Sequence, residues 1–284
     1  MNRSERAKVA QETLDIFRRG YYEHNGKQVP CRSIFTTEFL SEDYIKGISL
    51  PQSDFDPRYT FAHTSVVTEV IEHSGVHCGV LNFASAKSPG GGFLNGSLAQ
   101  EEALATSSDL FLSQLQAREM YDINKNFRSA LYTHNMIYSR GVTFIRTSGM
   151  KLLPYTMNAN VLTSPAVNAG AYYKNERGDI VTVLATMEER MRYILHVFAE
   201  KGDTTIILGA YGCGVFENDA NDVADIFFRL LLDEGLERYF REIVFAIFDP
   251  KGCQIDAFMR YCKRVKRATL VGRSPNIEGD YDNI

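Results

Sequence analysis

Three short, nearly unbroken apolar runs constrain this chain most: "CGVLNFA" (Cys78 to Ala84), "TTIILGA" (Thr204 to Ala210) and "EIVFAIFD" (Glu242 to Asp249). A strand that is apolar at every position has no face to give to water, so it belongs in a sheet covered on both sides. Amphipathic stretches of helical spacing lie between and after them: "TVLATMEERMRYILHVFAEKG" with Gly202 as its stop, "DANDVADIFFRLLLDEG", and "CQIDAFMRYCKRVKR". This alternation predicts an α/β fold, a three-layer α/β/α sandwich. "MIYSRGVTFIR" reads as two short strands around Gly141, and "YTMNANVLTSPAVNAGAY" as a strand followed by a loop, so the central sheet is expected to be mixed.

The remaining signals set the outline. Ala7, Ala10, Leu14 and Phe17 recur at helical spacing and Gly20 ends them. A short strand near Val29 to Phe35 and a helix near Glu38 to Ile45 follow. "TSVVTEVIE" is rich in β-branched residues, and "HSG" after it is a turn. A helix is predicted from Gln100 to Leu115. Residues 1–60 are expected to form an N-terminal, mainly helical accessory segment packed on a core of residues 61–270, with 271–284 as a polar tail.

With 284 residues, 44% apolar and 23% charged, the chain has the profile of an ordinary soluble globular protein. Its net charge of -4 gives no support to a protein that binds nucleic acid mainly through positive charge. "KRVKR" (Lys263 to Arg267) reads as a solvated helix face. The charged, amphipathic start lacks the apolar core of a secretory signal, and no stretch approaches the roughly 18 apolar residues of a membrane span. Five scattered cysteines without a CxxC pair point to a reducing cytoplasm and away from a zinc site. The scattered histidines read as structural or solvated.

Two glycine-rich loops share one position, each after a buried strand and before a helix. The first is "NFASAKSPGGGF", with Gly90, Gly91 and Gly92; the second is "GAYGCGVFEN", with Gly209, Gly212 and Gly214. Ligands of open α/β sheets gather beyond the carboxyl ends of strands, where free backbone N–H groups and helix N-termini suit an anion. Neither loop continues into the GK[ST] of a nucleoside-triphosphate loop, and the second lacks the dinucleotide-binding spacing. After the first loop come Gln100, Glu101 and Glu102. Neighbouring residues of a helix point about 100° apart, so this pair does not flank a bond as paired glycosidase carboxylates do. A division of labour is expected instead, one carboxylate gripping hydroxyls while the other transfers a proton. A carboxylate at a helix N-terminus is stabilised in its charged form; burial beside a bound anion would oppose that and prime an acid.

The unit of three glycines, a seven-residue spacer and QEE resembles the signature of the poly(ADP-ribose) glycohydrolases. The flanking "VLNFASAKSPGGGFLNGSLAQEEAL", "TSPAVNAGA" and "LGAYGCGVFEN" resemble the compact bacterial type in the expected order. The similarity spans roughly Val66 to Asp249, and Ala7 to Gly20 resembles that type's N-terminal helix. It implies a macrodomain core with ADP-ribose in a cleft and no metal or cofactor. It further implies that Glu102 is the catalytic acid/base and that Glu101 holds ribose hydroxyls. Gly90 to Gly92 would shape the catalytic loop against the pyrophosphate and distal ribose, Gln100 would bind substrate beside them, and Asn82 would contact ribose. Gly209, Gly212, Cys213, Gly214 and Val215 would form the diphosphate loop, with Phe216 packing on the distal ribose. Tyr172 and Tyr173 are candidates for adenine contact. The implied substrates are poly(ADP-ribose) or ADP-ribosylated proteins, cleaved mainly in exo mode to release ADP-ribose, with no membrane and no direct nucleic-acid binding. The alternatives are a mono-ADP-ribosyl hydrolase on the same core and a non-catalytic ADP-ribose reader, which would not need QEE. A nucleotide or nucleic-acid binder is the third, against which the missing lysine motif and the acidic balance weigh.

Overall fold

The computed structural model of the chain describes residues 1–249 and 252–272. It opens with α1 (Arg3–Arg19), capped by Asn2 and stopped by Gly20. A hairpin of β1 (Tyr21–His24) and β2 (Lys27–Pro30) follows, then β3 (Thr36–Leu40) and α2 (Glu42–Lys46). Next come β4 (Arg58–Ala62), α3 (Val66–His73) and β5 (Cys78–Phe83). The middle holds α4 (Gln100–Ser107), α5 (Leu110–Gln114), α6 (Glu119–Asn126), β6 (Met136–Arg146) and β7 (Leu152–Ser164). Then follow α7 (Ala169–Glu176), α8 (Ile180–Lys201), β8 (Thr205–Leu208), α9 (Ala220–Phe228), β9 (Glu242–Ala246), α10 (Cys253–Met259) and β10 (Ala268–Val271).

Eight strands form one mixed sheet in the order β10-β4-β9-β8-β5-β7-β6-β3. Pairing is parallel from β10 through β7 and antiparallel for β7·β6 and β6·β3. The apolar runs divide their side chains between the two faces. Leu81, Ile206, Leu208, Ile243 and Phe245 pack with α8, α9 and α10, while Val80, Ile207, Val244 and Ala246 pack with α3 and Leu104 of α4. That alternation is what a strand buried on both sides requires, and it yields the expected three layers.

Several local expectations change. The β-branched "TSVVTEVIE" is helical: Ser65 caps α3 by accepting from Val67 N, and Val66, Val67 and Val70 put one stripe on the sheet. Burial of that stripe outweighs a propensity difference of under ~1 kcal/mol per residue. The helix expected from Gln100 to Leu115 is broken at Ser108, which is extended (φ -147°). Its hydroxyl donates to Leu104 O (2.7 Å) and accepts from Leu110 N (3.2 Å), and the buried Asp109 accepts from Thr143 N (2.8 Å). The short polar side chains thus exchange helix for contact with β6. The two strands expected around Gly141 are one strand with a bulge, where the register shifts between Ser139 and Val142. α10 ends at Met259 in a short 3-10 turn to Lys263, so most of "KRVKR" lies beyond the helix. β10, with no counterpart in the sequence reading, closes the sheet against β4. β3 and most of β4, which fall within residues 1–60, are strands of the main sheet. The tail from Arg273 onward lies outside the described residues.

Candidate active site

β5 and β8 are parallel neighbours, so the loops leaving their carboxyl ends meet over the same edge of the sheet. The loop after β5 leads into α4, whose first three residues are Gln100, Glu101 and Glu102. The Gln100 amide is engaged with the strand itself: Nε2 donates to Leu81 O (2.7 Å) and Oε1 accepts from Phe83 N (2.9 Å). Gln100 therefore ties the start of α4 to the end of β5, and its role is to fix the two acids that follow.

Glu101 turns inward and is 3% exposed. Its Oε2 accepts from Ser85 N (2.7 Å), and its Oε1 from the amides of Gln114 (3.1 Å) and Asn82 (3.3 Å). Burial pushes its pKa up to about 8; the N–H of Ser85 and the amides of Asn82 and Gln114 pull the other way, and the nearby Glu102 adds to the rise. Asn82 also donates to Thr163 Oγ1 (3.2 Å) from β7. Around Glu101, Asn82 Oδ1, Gln114 Oε1 and the hydroxyl of Tyr121 are buried without a hydrogen-bond partner among the described residues. Such groups cost ~1–3 kcal/mol each, and a cluster of them marks a place built for a polar ligand.

Glu102 is half-buried and faces the glycines. Its Oε1 accepts from Gly92 N (3.0 Å) and its Oε2 from Ala99 N (3.0 Å). Gly91 explains why the loop carries glycine. Its φ is +58°, and a Cβ there would stand 2.5 Å from Glu102 Oε1 and 3.1 Å from Glu101 Oε2. Both carboxylates thus converge on one backbone position that no side chain can occupy. Gly90 lies against Phe93 and Gly92 against Ser97 with similarly little room.

The second loop presents its crest outward. Gly214 has open space around it and Val215 is 83% exposed. Its base is fixed: Gly209 abuts Ala246 O, and Gly212 abuts Ala166 and Asn218. Asn218 donates to Gly212 O (3.0 Å) and Val167 O (2.8 Å), joining this loop to the one after β7. Cys213 is half-buried, and burial pushes its thiol up to about 12, so it is no nucleophile at neutral pH. Phe216 is half-buried with its ring 6.1 Å from Tyr132. Tyr172 sits under Gly178, whereas Tyr173 lines a cavity of about 150 Å³ with Asn218 and Asp219.

The structure therefore brings Asn82, Gly90 to Gly92, Glu101 and Glu102 into one cluster, with the loop of Gly209 to Phe216 on the adjacent strand. The sequence reading missed Ser85, Gln114, Tyr121 and Thr163 around Glu101. Gln114 alone carried a signal, as a polar residue among the apolar positions of its predicted helix.

Strand-end glycine loops over a mixed, doubly covered sheet, with a carboxylate pair set into one of them, define a macrodomain-type hydrolase. Residues 10–147 match the family described as "Microbial-type PARG, catalytic domain", PARG being poly(ADP-ribose) glycohydrolase. The chain belongs to this microbial-type poly(ADP-ribose) glycohydrolase family: it is 33% identical to the enzyme of Thermomonospora curvata, with a TM-score of 0.82 over 91% of this chain and 99% of that one. The same enzyme bound to the inhibitor ADP-HPD matches with 33% identity and a TM-score of 0.79 over the same shares of the two chains. The Deinococcus radiodurans enzyme, in complex with ADP-ribose, is 35% identical with a TM-score of 0.73 over 81% of this chain and 95% of that one. No curated protein matches the chain.

Proposed function

We propose that this glycohydrolase cleaves the ribose–ribose O-glycosidic bonds of poly(ADP-ribose) with Glu102 as its acid/base, mainly from the chain terminus, releasing ADP-ribose. The observation that carries this reading is the convergence of both carboxylates on Gly91. Glu101, buried among Asn82, Gln114 and Thr163, accepts the hydroxyls of the terminal ribose and holds the sugar in one orientation. Glu102 donates its proton to the 2′-oxygen of the next unit as the C1″–O bond breaks. Positive charge grows on the terminal ribose, and the pyrophosphate bound against Gly90 to Gly92 and the loop of Gly209, Gly212, Cys213, Gly214 and Val215 stabilises it. Water then attacks C1″ and returns a proton to Glu102. Phe216 packs on the distal ribose. The ADP-ribose and ADP-HPD complexes of the relatives support this ligand class, and the compact bacterial sequence pattern supports the exo mode. The net charge of -4 fits a protein that does not itself bind nucleic acid, and five scattered cysteines without a CxxC pair fit a cytoplasmic setting.

Incubation of automodified poly(ADP-ribose) with wild type and Glu102→Ala, with products resolved by length, tests the reading. Wild type releases ADP-ribose; the variant loses ~10²–10⁴-fold in rate, the usual share of a general acid/base, while still binding ADP-ribose. Equal release by both proteins removes Glu102 from the mechanism, and short oligomers appearing before ADP-ribose removes the exo mode.

A further inference from the structure

We propose that a basic cavity beside the catalytic loop is a second anion subsite, holding the pyrophosphate of the neighbouring ADP-ribose unit, the one whose 2′-oxygen leaves. This rests on the reading of the catalytic cleft given above. The cavity, about 330 Å³, is lined among others by Lys87, Lys125, Arg128, Ala130, Tyr132 and Glu176. Its volume is at the small end of the range for ligand sites and suits a pyrophosphate with part of its sugar.

Position comes first. Lys87 belongs to the loop that carries Gly90 to Gly92, two residues beyond Ser85, whose N–H holds Glu101. The Ser85 hydroxyl accepts from Lys87 N (3.3 Å) and Ser88 N (3.1 Å), so this wall of the cavity and the seat of Glu101 are one turn of chain. The Lys87 ammonium stands 6.0 Å over the Tyr132 ring, and Tyr132 in turn packs on Phe216. The cavity thus has one wall in the first glycine loop and reaches the second through the contact of Tyr132 with Phe216. A polymer whose terminal ribose lies at Glu101 and Glu102 sends its next unit past these residues.

Charge points the same way. Lys125 is paired with Asp122 (3.3 Å), but Lys87 and Arg128 have no carboxylate partner among the described residues. The acid lining the cavity among the described residues, Glu176, is occupied in bracing the loop, accepting from Ala130 N (2.6 Å). Two exposed cations without a carboxylate partner among the described residues, one of them, Lys87, over the Tyr132 ring, suit a diphosphate and the sugar beside it.

The wall is also rigid. Tyr132 has φ +56°, uncommon for a bulky residue. Arg190, fully buried on α8, fixes it by donating to Tyr132 O (3.1 Å), Leu131 O (2.9 Å) and Pro165 O (3.0 Å). Backbone strain held this firmly beside a catalytic cleft is spent on placing a ring.

The test is a comparison of ADP-ribose with a two-unit ADP-ribose oligomer, titrated into Glu102→Ala and into the same protein carrying Lys87→Glu and Arg128→Glu. The oligomer binds the parent about tenfold more tightly than ADP-ribose, in the manner of added phosphate contacts. Charge reversal abolishes that preference and leaves ADP-ribose affinity unchanged; Lys87→Ala with Arg128→Ala moves it in the same direction by less. Equal affinity of the parent for the two ligands, or a preference that survives charge reversal, overturns the subsite. Polymer hydrolysis by wild type is measured separately. If it fails while the oligomer preference holds, the hydrolase reading falls and the subsite stands; if hydrolysis proceeds without the preference, only the subsite falls.

Discussion

Glu101 and Glu102 are one residue apart and experience different surroundings. The inward carboxyl is buried among amides and a backbone N–H, while its neighbour takes two N–H groups of the catalytic loop and helix start. The proton on Glu101 has a consequence for stability. With its pKa at about 8 in the folded protein against 4.5 when unperturbed, the native state holds a proton that the unfolded chain gives up across that window. Stability therefore falls as pH rises from 4.5 toward 8. Glu101→Gln removes this contribution, so thermal melts across that range show a shallower decline than wild type. The decline shrinks rather than vanishes, because burial pushes Asp109 to about 7 and Asp203 to about 6 in the same direction. An unchanged slope in the variant contradicts the assignment.

Among elements, α8 does more than cover the sheet. Its Arg190 is a buried cation with three carbonyl partners and, among the described residues, no carboxylate, joining the loop after β7 to the loop at Tyr132. Arg190→Met exchanges those bonds for apolar packing. The loss of charge-assisted bonds is offset in part by relief of a buried charge, so the net cost is about 2 kcal/mol and Tm falls by about 5 °C. Calorimetry checks the stability, and a polymer KM that rises more than kcat falls checks the loosening of Tyr132. How much of this was legible in sequence differs by element. β5, β8 and β9 could be read because nearly every position is apolar, a pattern that calls for a sheet covered on both faces. The glycines and QEE could be read because the unit is contiguous. Thr163 and Arg190 come from β7 and α8, and nothing local distinguishes them from ordinary strand and helix residues; Gln114 of α5 shows only as a polar residue among apolar helix positions. The break at Ser108 depends on a bond from Asp109 to β6, which a helical window cannot anticipate.

Across the whole molecule, α1 is the back wall of the glycine loop that leads to Glu101 and Glu102. Arg3 donates to Asn95 O (2.8 Å) and Arg6 to Gly96 O (2.9 Å), and a Cβ on Gly96 would stand 1.9 Å from Arg3 O. Ala10 and Leu14 pack on Phe93 and Ala105, while Thr13 donates to Thr106 O (2.8 Å) and accepts from Arg146 (2.8 Å). Arg3→Ala with Arg6→Ala therefore loosens the loop that seats Glu102: the rate on polymer falls several-fold, while Tm falls by only a few degrees because the apolar contacts remain. Parallel kinetics and melting curves separate the two effects. The same packing sets an order on biosynthesis. Arg3 and Asn95 are 92 residues apart in the chain, and at roughly 5–20 residues per second of synthesis α1 waits on the order of 5–20 s for its partner. During that interval Ala10 and Leu14 sit on an emerged helix without Phe93 and Ala105 to cover them, so a nascent chain of this protein calls for a holding chaperone early, before Glu101 and Glu102 are made.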